Sequence, residues 1–132
     1  MAENNYDLIK EWYKFAMTDY ITAKHLHDTL YPKPLEIICY HCQQAAEKLL
    51  KGFLVSQNID PPKTHDLLRI CELCFEFNGS FVELKKFCQI LNPYGVQPRY
   101  PNEIEILETD AAKSLESIQA TINFFQKQDI AL

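Results

Sequence analysis

The sequence predicts an all-α protein, a five-helix up-and-down antiparallel bundle with an irregular loop before the last helix. Apolar residues recur at helical spacing through most of the chain. Glycine is rare, with three in 132 residues. Prolines or an Asn-Gly step fall between the periodic stretches, where they stop helices. Short connections between such helices favour antiparallel neighbours, and a chain of this length is expected to form one domain, residues 1–132.

The first helix is expected from about Tyr6 to Leu30, with Leu8, Trp12, Phe15, Ala16, Ala23, Leu26 and Leu30 as its inward stripe. Tyr31-Pro32-Lys33-Pro34 ends it. The second runs from about Leu35 to Gln57. Leu35, Ile38, Cys39, Cys42, Ala46, Leu49, Leu50 and Phe53 share one arc, and Gln44, Glu47, Lys48 and Lys51 occupy the opposite arc. Asn58 to Lys63, with Pro61-Pro62, is a loop. Thr64 is expected to cap the third helix, and Asp66 in its first turn suits the positive helix end. That helix extends to about Phe77 and buries Leu67, Leu68, Cys71, Cys74 and Phe75, before Asn78-Gly79-Ser80 stops it.

A short fourth helix, about Ser80 to Leu91, buries Phe81, Leu84, Cys88 and Leu91. From Asn92 to Glu108 the helical pattern breaks at three prolines and a glycine. The period-two run Glu103-Ile104-Glu105-Ile106 then reads as extended chain pinned by its isoleucines. Loops of this length in a small domain are often functional. Thr109 is expected to cap the last helix, about Asp110 to Lys127, with Ala111, Leu115, Ile118, Ile122 and Phe125 inward.

Eighteen acidic against thirteen basic side chains give a net charge of −5, and only Arg69 and Arg99 are arginines. A broad duplex-binding surface needs a basic excess that displaces counterions, and none is present. A local patch for a nucleotide or a short RNA remains open. The start, Met1-Ala2-Glu3-Asn4-Asn5, lacks a signal-peptide pattern, and no apolar run approaches the ~18 residues that span a bilayer. With five cysteines, an odd number, the expected setting is the cytoplasm, with reduced thiols.

Cys39/Cys42 and Cys71/Cys74 form a doubled C-x-x-C, a pattern able to hold tetrahedral zinc. Both pairs fall on apolar helical arcs rather than in glycine-bearing knuckles, so they read as small buried thiols, and neither a metal nor a cofactor is expected. His25, His27 and His41 lack metal-ligand spacing and read as surface histidines. Asp19 sits inside the apolar stripe of the first helix, where a carboxylate needs a partner. Lys48, Lys51, Gln43 and Gln44 are the candidates. A packing ion pair and a ligand-binding role both fit. His65-Asp66, at the start of the third helix, places an imidazole beside helix-start amides, a setting that favours phosphate. Arg99-Tyr100 joins a guanidinium to an aromatic plane, suited to phosphate contact and base stacking.

The ordered series Trp12, Ala16, Asp19, Ala23 and Leu26, then "CQQAAEKLLKGFL", "THDLLRI" and "RYP", with an alanine-spaced terminal helix, resembles the HEPN family. The name stands for higher eukaryotes and prokaryotes nucleotide-binding. The resemblance covers roughly Lys10 to Gln126, giving a domain core of about 10–126. It implies a five-helix bundle, frequent homodimers and a partner minimal nucleotidyltransferase in a toxin–antitoxin-like system. Some members are thought to bind nucleotides. Others are metal-independent ribonucleases with an Arg followed, after four to six residues, by a His. Here Arg69 meets Cys74, Phe75 and Glu76 at those positions, and Arg99 meets Ile104, Glu105 and Ile106. The implied role is therefore a non-catalytic binding module using Asp19, Gln44, Glu47, Lys48, Lys51, His65, Asp66, Arg99 and Tyr100. The alternative is a ribonuclease toxin using His65 with Arg69 or Arg99.

Overall fold

The computed structural model describes residues 2–95 and 105–132. Five α-helices form an all-helical bundle: α1 (Ala2–Thr29), α2 (Leu35–Ser56), α3 (Leu67–Phe75), α4 (Lys85–Leu91) and α5 (Glu108–Lys127). Short 3₁₀ segments, Gly79–Leu84 and Asn92–Tyr94, flank α4. No strand occurs among the described residues. None of their helices is long and apolar enough to cross a membrane.

Helix α2 is the centre. It packs against α1, α3 and α5, so fourteen of its 22 residues are buried. The core continues into an aromatic cluster in which the Phe81 ring lies 4.2 Å from Phe53, 5.0 Å from Phe124 and 5.5 Å from Phe125, between centroids. Tilted and edge-on contacts of this kind add to the burial of the rings themselves.

The caps of two helices differ from the sequence expectation, each for a local chemical reason. Asp66, not Thr64, caps α3: its Oδ1 accepts the Leu68 amide at 3.1 Å and the Arg69 amide at 3.5 Å. Thr64 instead accepts the Asp66 amide. At α5 the Asp110 carboxylate reaches back to the Leu107 amide at 2.8 Å, so the helix begins before Thr109 and does not use it as a cap. The stretch from Ser80 begins as a 3₁₀ segment before becoming α4, and α3 closes at Phe75.

One packing expectation is corrected. Of the stripe expected for α1, Leu8, Phe15 and Leu30 are exposed, whereas Tyr13, Ala16 and Ala23 are buried and Ile9, Met17 and Tyr20 pack against the core. The helix carries two apolar stripes, and only the one facing α2 and α5 is covered. On the polar arc of α2, Glu47 and Lys51 are buried, because neighbours surround the helix. Of the pinning isoleucines, Ile106 packs on the core, and Ile104 lies outside the described residues.

Gly52 sets how closely α1 and α2 approach. A Cβ there would lie 2.6 Å from the Tyr13 ring and 3.0 Å from the Trp12 Cβ. Gly52→Ala should therefore destabilise the fold by about 1–2 kcal/mol, since overpacking outweighs the helix-propensity gain of about 1 kcal/mol. Gly79→Ala, where a Cβ meets nothing within 4 Å, should shift stability by less than about 0.5 kcal/mol. Urea unfolding of the two variants makes the comparison.

Candidate functional site: two acid–base clusters on α2

The polar arc of α2 divides into two clusters that face different neighbours. At the α1–α2 contact, Asp19 is buried and receives two donors. Lys48 pairs with its Oδ2, and His41 donates through Nδ1 to its Oδ1 at 2.8 Å. A carboxylate inside an apolar stripe is stable only with such compensation. Of the partners the sequence offered for Asp19, the structure selects Lys48. It adds His41, which reads in sequence as an isolated surface histidine. The available signal was spacing, since His41 and Lys48 are seven residues apart on one helix face.

The second cluster centres on Glu47, whose side chain is 7% exposed. Lys51, 9% exposed, donates to its Oε2 at 3.1 Å. The His65 Nδ1 donates to the same carboxylate at 3.0 Å, and the Gln43 amide donates to its Oε1 at 3.2 Å. Gln43 is fully buried and also donates to the His65 carbonyl at 3.2 Å. Gln44 donates to the Gln43 oxygen at 2.7 Å. Gln44 and Lys48 are one turn apart, so the two clusters adjoin along α2.

Asp19 and Lys48 thus meet each other, whereas His65 meets Glu47 on the side of α2 towards α3. Arg99 and Tyr100 lie outside the described residues. The helix-start amides near His65 are already engaged. Those of Leu68 and Arg69 are held by Asp66, and that of Leu67 by the Asn92 Oδ1 at 2.9 Å. Asn92 also donates to Asp66 at 3.1 Å, clamping the turn. A phosphate at this place therefore has to be met by side chains. Gly95 closes the same corner, where a Cβ would come within 3.0 Å of the Gln43 amide nitrogen.

The cysteines sit apart from these clusters. Burial pushes the Cys42 and Cys74 thiols far above the usual range, which keeps them protonated. Cys74 donates to the Leu50 carbonyl and Cys71 to that of Phe81, while Cys39 accepts from Ser114. A hydrogen bond between Cys71 and Cys88 lowers the first thiol and raises the second, whose rise burial reinforces. Among the described residues, no group of three or more His, Cys, Asp or Glu is placed to hold a metal ion.

The HEPN domain model matches residues 9–128. The chain belongs to the HEPN domain family. Its fold is similar to that of TT1696 from Thermus thermophilus, known from a crystal structure. The two are 21% identical with a TM-score of 0.69, over 90% of this chain and 96% of that one. At this identity the likeness concerns fold. No curated protein matches the chain.

The Glu47 cluster is the more costly to break, because Lys51 would be left buried without its counter-charge. Glu47→Ala should cost about 3 kcal/mol. In Glu47→Ala/Lys51→Met a large part of this should return, because neither charge remains. A double-mutant cycle by urea unfolding measures both effects.

Proposed function

We propose that this HEPN protein is a non-catalytic module that binds a nucleotide or an RNA end. In this reading it works with a minimal nucleotidyltransferase in a toxin–antitoxin-like system of the cytoplasm. One observation supports the binding half: in both α2 clusters the acids are buried while basic groups reach solvent. The His65 side chain is 70% exposed above Glu47, and those of Lys48 and His41 are 29% and 26% exposed beside Asp19. Held by their carboxylates, these groups meet an incoming phosphate with little further ordering to do. The proposed ligand set is Asp19, Gln44, Glu47, Lys48, Lys51, His65 and Asp66 with Arg99 and Tyr100. Lys48, His65 and Arg99 contact phosphate, Tyr100 stacks on a base, and the acids act through the groups they hold. The partner rests on the family resemblance, and the lack of catalysis on the missing Arg–His spacing.

The proposed unit is a homodimer. Leu8 and Phe15, 44% and 54% exposed, flank the half-buried Trp12 on the α1 face that continues to Asp19. A second copy would cover that face beside the clusters. Phe15→Asp should leave helicity unchanged and convert the dimer to a monomer in analytical ultracentrifugation. A wild-type protein that sediments as a monomer would remove this part of the reading.

Binding is tested by calorimetry with ATP and with a short 5′-phosphorylated single-stranded RNA. Saturable binding is expected, weakened about tenfold by Lys48→Ala or Arg99→Ala, the equivalent of roughly 1.4 kcal/mol each. The ribonuclease alternative has its own support: Glu47 orients His65, four residues before Arg69 in the chain, as an acid orients a catalytic imidazole. RNA cleavage by wild-type protein, abolished in His65→Ala, would overturn the non-catalytic reading.

A further inference from the structure

On the side of α1 away from Leu8 and Phe15, a groove of about 1060 Å³ opens. Tyr6, Tyr13, Met17 and Ile21 form one wall, and Phe53 and Ile130 close it. None of the clustered α2 residues lines it. The wall runs from Tyr6 to Ile21, about 22 Å at a rise of 1.5 Å per residue, which favours a linear occupant over a compact one.

The charged side chains of the lining, Lys10, Glu11 and Lys14, gather within two turns of α1. Lys10 and Lys14 are on the rim one helical turn apart, and neither forms an ion pair among the described residues. Lys10 lies 5.0 Å from the Tyr6 ring centroid. Glu11 is the acidic side chain of the lining, so the side chains of the rim carry a positive balance. Tyr13, only 5% exposed, has no hydrogen-bond partner among the described residues, and burial keeps its phenol protonated. Tyr13 is among the residues that line the groove. Beyond Lys14 the wall continues through Met17, Thr18, whose hydroxyl is tied to the Lys14 carbonyl, and Ile21.

We propose that this groove binds a long-chain aliphatic carboxylate. Its carboxylate is held by Lys10, Lys14 and the Tyr13 hydroxyl, and its acyl chain lies along Met17, Ile21 and Phe53.

The test is calorimetric titration of the full chain with dodecanoate, using dodecanol as the uncharged comparator. One-to-one saturable binding is expected, with dodecanol at least about tenfold weaker. Lys10→Glu/Lys14→Glu alters exposed residues and should weaken dodecanoate about tenfold or more, and Tyr13→Phe about threefold. Lys48→Ala should leave dodecanoate binding unchanged. Absence of saturable binding, equal affinity for dodecanol, or unchanged affinity in the double-lysine variant would each overturn the proposal. So would self-association abolished by Ile21→Asp but retained in Phe15→Asp, since a second copy would then occupy the groove.

Discussion

The structure depends on one constraint: a central helix has carried a carboxylate and an ammonium into its buried region. α2 has α1, α3 and α5 around it, and Glu47 and Lys51 lie one turn apart where water reaches neither freely. Their mutual bond alone would leave lone pairs and protons unsatisfied. Gln43 and His65 supply two further donors to the Glu47 lone pairs. The requirement has a geometric consequence, because His65 and its carbonyl are both drawn to α2 immediately before α3 begins. Asn92 then ties the α3 start to the segment that follows α4. The polar network therefore fixes where α3 and the start of the loop sit, a task that apolar contacts, being non-directional, perform less well.

Most of the fold was legible because helical periodicity and proline punctuation are properties of short stretches. Pro32, Pro34, Pro61 and Pro62 separate helices wherever they fall. The α1 stripe was harder. Phe15 and Met17 point about 160° apart, and both are apolar, so periodicity finds a helix without choosing its inner face. Neighbours make that choice, and here Gly52 admits Tyr13. The same limit applied to α2. Glu47 and Lys51 look like a solvated i, i+4 pair in sequence, and only the number of packed helices shows them to be buried.

Within the candidate site, the sequence singled out Asp19 and Lys48 on the ground that a carboxylate in an apolar stripe needs a cation, and the structure pairs them. It passed over His41, because a lone histidine has no distinguishing local pattern. Gln43 it offered only as a partner for Asp19, whereas the structure turns that amide to Glu47. The importance of Gln43 comes from contacts to residues 44, 47 and 65 that no single window contains. The Cys pairs show the converse. Their spacing is conspicuous in sequence, yet helical burial sends Cys39, Cys71 and Cys74 to separate partners.

The two proposed sites use α1 from opposite sides, and the α1–α2 contact connects them. Trp12, on the side of Asp19, and Tyr13, on the side of the groove, both bear on Gly52. Any displacement of α1 across Gly52 would move the two residues together. A carboxylate holding the Tyr13 hydroxyl would restrain that displacement. The Asp19–Lys48–His41 cluster bridges the same two helices, so its geometry depends on the same contact. Occupancy of the groove would then narrow the range of positions open to Lys48 and His41 without touching either. The coupling is bounded by how far α1 moves when the groove is empty. With a buried ring already against a glycine, that range is small, and the two sites are expected to act nearly independently.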